Sequence, residues 1–222
     1  MNDNYIERII LSEIEIDYIK NILNGAEWID GILSTSNMSP KKKNNMECIV
    51  SHSTTEANKI IMDAVNKDQI FFDFCIPDRA YTCIFSKTIS GGYYKPHQDN
   101  GINGHYSTTV FLSNPEDYEG GELCLFLNNT EIRFKPIAGT AITYRTGIMH
   151  RVNTVTSGER LAAVFWTKSK IIDPFYRSLY VEIGKAISKC TKREFHETFE
   201  DAINDPRFIL EEIQNELLRR SK

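Results

Sequence analysis

Residues 140–167 read TAITYRTGIMHRVNTVTSGERLAAVFWT, and this stretch decides the fold class. It divides into three short runs, Thr140 to Tyr144, Met149 to Val155 and Arg160 to Thr167, each rich in β-branched and aromatic side chains. Such side chains suit a pleated, half-buried surface. Ser157-Gly158 supplies turn chemistry before the last run. The texture continues upstream through Tyr81 to Ile89, Ser107 to Leu112, Glu122 to Leu127 and Glu131 to Phe134. Gly91-Gly92, Asn114-Pro115, Gly120-Gly121, Asn128-Asn129 and Ala138-Gly139 punctuate these runs. Many short strands at regular spacing predict a sandwich or barrel over about 81–168.

The flanks have a different period. Ser12 with Glu15 forms a capping box ahead of Ile16, Ile19, Ile22 and Leu23, and Asn24-Gly25 supplies a stop. A second helix is expected to start near Ser53, with Glu56 three residues on and Ile60, Ile61, Ala64 and Val65 as its buried stripe. Ser34 to Asn45 reads as an exposed loop, and its Lys41-Lys42-Lys43 run as a solvated segment or a loop gating a site. Residues up to about 80 are therefore expected to be mostly helical. Beyond the strands, Asp173-Pro174 and Asp205-Pro206 each pair a capping acid with proline at the first helical position. Ile209, Ile213 and Leu217 then form an apolar stripe that needs cover from the β domain or a second subunit, which makes a homodimer an expectation. The predicted layout is one domain over 1–187, helical in 1–80 with a β core in 81–168, followed by a helical extension over 188–222.

Composition narrows the class. Of 222 residues, 41% are hydrophobic and 25% charged, ordinary for a soluble globular chain. With 26 basic and 30 acidic residues the net charge is -4, which argues against a protein that coats nucleic acid. The five cysteines, Cys48, Cys75, Cys83, Cys124 and Cys190, are odd in number and show no C-x-x-C spacing, so reduced thiols in a cytosol-like compartment are expected. No apolar run reaches the roughly 18 residues of a membrane span. The first residues, MNDNYIERIILSEIE, carry acids where a signal peptide carries a basic segment. A soluble, cytoplasmic protein with no membrane partner is the expectation.

The chemistry concentrates around two of the five histidines. His97-Gln98-Asp99 sets an imidazole and a carboxylate at i and i+2, which point to one side of an extended chain. His150 lies 51 positions after Asp99, beside another predicted strand. Two histidines and one carboxylate make the facial triad of non-haem Fe(II) oxygenases, with positions left open for cosubstrate and O2. Taken alone, H-x-D is equally a surface loop in which Asp99 caps a turn. Arg160 begins the strand after His150, where a guanidinium can fork onto a carboxylate or simply be exposed. Gly91-Gly92 would allow a bend beside the site. His52 and His105 sit in polar contexts, with His105 near enough to Asp99 for a pocket rim, and His196 belongs to the C-terminal helical part. Tyr144 reads as core or pocket wall, and Trp166 as a barrel-packing residue.

The spaced set resembles a known family. Gly91-Gly-Tyr-Tyr-Lys-Pro-His-Gln-Asp99 is similar to the segment that opens the metal site of prolyl 4-hydroxylase-like 2-oxoglutarate dioxygenases. Ser107-Thr-Thr-Val-Phe-Leu-Ser-Asn114, Gly120-Gly-Glu-Leu123, Pro136-Ile-Ala-Gly139, His150 and Arg160 follow in the family's order. Ala26-Glu-Trp-Ile-Asp-Gly31, Lys43-Asn-Asn45 and the stretch from Val164 to Ile183 look like the bacterial PKHD-type hydroxylases, and the similarity covers roughly residues 20–187. The resemblance implies a mainly β fold with flanking helices, a distorted double-stranded β-helix (jelly roll, cupin-like). It implies Fe(II) held by His97, Asp99 and His150, 2-oxoglutarate held at its distal carboxylate by Arg160, and ascorbate as an accessory. The implied reaction consumes O2, turns 2-oxoglutarate into succinate and CO2, and hydroxylates a substrate C–H bond, prolyl in a peptide or protein by analogy. In this family a tyrosine often stands nine residues before the first histidine ligand and helps bind the cosubstrate; here that position is Thr88. Tyr94 and Thr109 are the other candidates for that contact. A small metabolite or nucleobase as substrate, and a non-catalytic metal-binding jelly roll, are the competing readings.

Overall fold

The computed structural model describes residues 4–34, 42–49, 54–101, 104–190 and 198–220. In chain order the elements are β1 (Tyr5–Ile9), α1 (Glu13–Asn24), β2 (Ile29–Asp30), β3 (Lys43–Asn44), β4 (Met46–Ile49), α2 (Thr55–Lys67), α3 (Gln69–Cys75), β5 (Pro77–Ala80), β6 (Ile84–Ile89) and β7 (Tyr93–His97). They continue with β8 (Tyr106–Phe111), β9 (Tyr118–Gly120), β10 (Leu123–Leu127), β11 (Thr130–Phe134), β12 (Thr140–Arg145), β13 (Met149–Val152), β14 (Val155–Ser169), α4 (Pro174–Lys189), α5 (Phe199–Asn204) and α6 (Pro206–Arg220).

The chain forms two compact units, one of residues 1–75 and 79–168, the other of 76–78 and 169–222. The first holds two antiparallel sheets. The larger runs β1-β12-β8-β14-β6-β4-β2 and the smaller β11-β10-β13-β7-β3. Every residue of β8 is buried, on both faces, because the larger sheet has packing on each side. On one side, Tyr106, Val110, Ala141, Leu161, Ala163 and Phe165 pack with Ile16, Ile19 and Leu23 of α1 and Ala57, Ile61 and Val65 of α2. On the other, Phe111, Ile142 and Tyr144 meet Leu123, Leu125 and Phe134 of the smaller sheet. Odd and even positions of each strand thus serve different layers, as the pleat requires. Two apposed antiparallel sheets with helices outside form the jelly-roll architecture expected from the sequence.

The capping box of α1 is present: Ser12 Oγ and Ser12 N both meet Glu15 Oε2, at 2.7 and 2.8 Å. The second helix begins at Thr55 after Thr54, while Ser53 lies outside the described residues. The first 80 residues are less helical than expected, since β1 to β4 join the two sheets. Their pairing is long-range, as with Tyr5 opposite Tyr144, and short-range periodicity carries no trace of a partner 139 residues away. Lys43 also departs from expectation. It lies buried in β3, with its Nζ 2.6 Å from Glu47 Oε1, rather than solvated in a loop; Lys41 is outside the described residues.

In the second unit, Asp173 Oδ1 accepts from the backbone N–H groups of Phe175 and Tyr176 at 2.9 and 3.1 Å, capping α4. Helix α6 packs along α4, with Gln214 Nε2 donating to Tyr180 O at 3.1 Å. Leu217 is buried, whereas Ile209 and Ile213 stay 46% and 43% exposed. Apart from residues 76–78, this unit is the stretch from Ser169 on, so α4 groups with the C-terminal helices rather than with residues up to 187. No helix among the described residues is long and apolar enough to cross a membrane.

Candidate active site

His97 ends β7 and His150 lies in β13, and the ladder between those strands sets them directly opposite each other. Beyond this pair the register slips, so that Val152 stands opposite Tyr94. Such a bulge re-aims side chains beside a site. The bend before β7 depends on Gly91 at φ 84° and on Gly92, where a Cβ would come within 2.7 Å of Asn44 O. The two imidazole centroids are 4.1 Å apart.

Both rings are oriented by the same device. His97 Nδ1 is 2.8 Å from Lys95 O, and His150 Nδ1 is 2.9 Å from Ile148 O. A carbonyl oxygen only accepts, so Nδ1 carries the proton and Nε2 keeps its lone pair for an ion. Burial, reinforced by the neighbouring His150, pushes the His97 pKa down to about 4. Near neutral pH the ring is therefore uncharged, the form that ligates metal.

Asp99 completes the set. Its Oδ1 is 3.8 Å from His97 Nε2 and its Oδ2 is 3.8 Å from His150 Nε2. The three candidate donor atoms lie within 4.8 Å of one another. Two further side chains hold the carboxylate: Ser107 Oγ donates to Oδ2 at 2.6 Å and Trp166 Nε1 donates to the same oxygen at 3.0 Å. Trp166 is therefore more than barrel packing, and Ser107 is a site residue that the sequence reading missed. The available signal was parity, since Ser107, Thr109 and Phe111 share the face of β8 that looks away from the helices.

Arg160 lies on the same face of β14 as Trp166, six residues earlier. It is 2% exposed, with its guanidinium carbon 5.0 Å from the Phe111 ring centroid. Its Nε and Nη2 are buried with no hydrogen-bond partner among the described residues. Burial lowers its pKa. An unpaired buried cation is costly unless something anionic meets it. Thr88, 3% exposed, stands directly opposite Arg160 across β6 and β14. Thr109 is buried on β8. Tyr144 connects the two ends of the site: burial drives its pKa well up, with Asp99 adding to the rise and Arg160 opposing it. It is a core residue, 2% exposed, within electrostatic reach of both the carboxylate and the guanidinium.

Tyr94 stacks flat on His97, with centroids 3.7 Å apart and planes 16° apart. Burial raises its pKa to about 12. Lys43 Nζ sits 5.3 Å from the Tyr94 ring centroid. Tyr94 is thereby a brace for a candidate ligand ring. His105 is half-buried, with its backbone bridging Thr167 O and Thr146 N. His52 and His196 lie outside the described residues.

Comparison with known proteins agrees with this geometry. Residues 83–168 match the model of the 2OG-Fe(II) oxygenase superfamily. A PKHD-type hydroxylase of Gluconacetobacter diazotrophicus is 32% identical over 189 residues, covering 80% of this chain and 83% of that protein. A PKHD-type hydroxylase of a Picosynechococcus species is 33% identical over 192 residues, covering 79% and 88%. Among solved structures, the prolyl hydroxylase of Trichoplax adhaerens, in complex with a hypoxia inducible factor oxygen degradation domain peptide fragment, superposes with a TM-score of 0.64 at 17% identity, covering 76% of this chain and 85% of that one. That likeness concerns the fold. With a superfamily match over the strand core and relatives above 30% identity along most of its length, the chain belongs to the PKHD-type hydroxylases, oxidoreductases of the 2OG-Fe(II) oxygenase superfamily that use Fe(II) and 2-oxoglutarate.

Proposed function

We propose that this enzyme hydroxylates a C–H bond of a peptidyl side chain, of prolyl type, with iron held by His97, Asp99 and His150 and 2-oxoglutarate anchored at its distal carboxylate by Arg160. One observation carries the reading. The donor atoms of His97, Asp99 and His150 converge within 4.8 Å, and Arg160, on the strand that also brings Trp166 to Asp99, is a buried cation with unpaired donors. The residues fit the two groups chemically. Neutral imidazoles and one carboxylate leave a bound dication with net positive charge, which favours a dianionic ligand.

When bound, Fe(II) supplies the redox centre at which O2 and 2-oxoglutarate are consumed, giving succinate, CO2 and a hydroxylated substrate. The chain's own residues do the positioning. Lys95 O and Ile148 O hold the imidazoles in the metal-binding tautomer. Ser107 and Trp166 hold Asp99 Oδ2, which orients the carboxylate towards both rings. Arg160 fixes the far end of the cosubstrate, and orientation of this kind removes an entropic part of the barrier. Thr88 and Thr109 contribute hydroxyls along the cosubstrate's path, and Tyr94 keeps His97 in place. Ascorbate serves as an accessory.

A peptide substrate is supported by the structural relative that carries a peptide in its complex. Five cysteines with no disulfide among the described residues, four of them buried, support a cytosol-like compartment. The exposure of Ile209 and Ile213 supports a homodimer, which sedimentation velocity would measure.

Anaerobic addition of Fe(II) and 2-oxoglutarate tests the site: a metal-to-ligand charge-transfer band is expected, and its absence would overturn the assignment. A screen of peptides, oligonucleotides and small metabolites, scored by the mass of one added oxygen, tests the substrate class. Hydroxylation of a nucleobase or metabolite with inert peptides would replace the peptidyl reading.

A further inference from the structure

Tyr118 opens β9 and is 3% exposed, yet its hydroxyl has no hydrogen-bond partner among the described residues. A buried hydroxyl without a partner is costly, and the position of this one is built. Across β9 and β14, Tyr118 stands opposite Gly158. Arg160 follows two residues later on β14 and so shares the face of Gly158. Gly158 has φ 77°, and a Cβ there would overlap Asp117 O and approach Tyr118 Cα to 2.8 Å. Only a residue without a side chain lets β9 lie this close and brings the phenol diagonally onto Arg160. The ring is clamped as well: Lys135 Nζ lies 4.5 Å from its centroid and donates to Tyr118 O at 2.7 Å.

Tyr118 and Arg160 act on each other electrostatically. Their side chains lie within hydrogen-bonding reach of each other, but no well-aligned bond forms, so Tyr118 Oη, Arg160 Nε and Arg160 Nη2 stay unmet on adjacent buried side chains. All three can donate, and one acceptor-only group with two oxygens would satisfy them together. We infer that Tyr118 is a second anchor for the distal carboxylate of 2-oxoglutarate, donating its hydroxyl beside Arg160. It supplies a phenol that Thr88, directly opposite Arg160, is too short to provide. This rests on the assignment of Arg160 proposed above.

The test is anaerobic titration of the Fe(II) protein, read by the charge-transfer band, which measures binding without turnover. Tyr118→Phe keeps the ring and removes only the hydroxyl. Its Kd for 2-oxoglutarate should rise roughly tenfold, the scale of one lost hydrogen bond to a charged group. Its Kd for 2-oxobutyrate, which has the keto acid but no distal carboxylate, should match wild type. An unchanged Kd for 2-oxoglutarate, or equal weakening for both acids, overturns the inference. Arg160→Met in the same assay separates the two levels. If it leaves 2-oxoglutarate binding intact, the Arg160 assignment itself fails; if it weakens binding while Tyr118→Phe does not, only the role of Tyr118 falls.

Discussion

His97 and His150 face each other as the last regular pair between β7 and β13 before the ladder bulges. Fifty-three positions apart in sequence, they are held 4.1 Å apart, centroid to centroid, by the register of a single strand pair. The candidate metal centre is thus a property of sheet registration, and slipping that register by one residue would send one imidazole to the opposite face.

Loss of a ring should therefore be felt at the metal rather than in the fold. His97→Ala, Asp99→Ala and His150→Ala are each expected to abolish the charge-transfer band and to lower succinate formation by about 1000-fold or more, the scale expected when essential catalytic machinery is removed. Circular dichroism should stay close to wild type. Full activity in any of the three would show that the centre is elsewhere.

The donors to Asp99 make a finer prediction. Trp166→Phe keeps an aromatic ring on β14 but removes the Nε1 donor, and Ser107→Ala removes the 2.6 Å contact. Each should weaken metal affinity by roughly 10- to 100-fold, as losses of supporting partners around metal sites do. Titration with Mn(II), followed by enhancement of water-proton relaxation or by calorimetry, gives the number directly.

Arg160 sets function against stability. Its guanidinium is buried with two unpaired donors, so Arg160→Met should raise the melting temperature of the ligand-free protein, since an apolar chain of similar reach avoids the desolvation cost. Wild type alone should gain stability from 2-oxoglutarate, by about 2.7 kcal/mol at 100 times its Kd. Thermal melts with and without cosubstrate read both effects.

The Lys43–Glu47 pair, 2.6 Å apart and buried, lies behind Tyr94 and hence behind His97. Glu47→Ala removes the carboxylate 2.6 Å from the buried ammonium and should destabilise by about 3–5 kcal/mol. Lys43→Met with Glu47→Gln should cost markedly less, and urea unfolding of both variants compares them.

His97 has a pKa pushed down to about 4 from an ordinary 6.5. Between those values the unfolded chain binds a proton that the folded chain refuses, so stability rises with pH in that window. The ligand-free protein should therefore keep this contribution above about 6.5 and lose it as pH falls towards 4. In His97→Gln the slope of unfolding free energy over that range should shrink by close to one proton, as urea titrations at stepped pH would show.

Local signals in the sequence were enough for the strand runs between 81 and 168, the caps at Ser12 and Asp173, and the candidacy of His97, Asp99, His150 and Arg160. Each depends on near neighbours: alternation along a strand, a cap three residues from its partner, or an i, i+2 pair. Tertiary structure decided the rest. It paired β1 with β12, drew Lys43 inward onto Glu47, and brought Ser107 and Trp166 to one oxygen of Asp99. It also set Tyr118 beside Arg160 through a glycine on the facing strand. These contacts join residues distant along the chain. Their energies come from burial and from donors left without water, and both exist only once the two sheets have closed on each other.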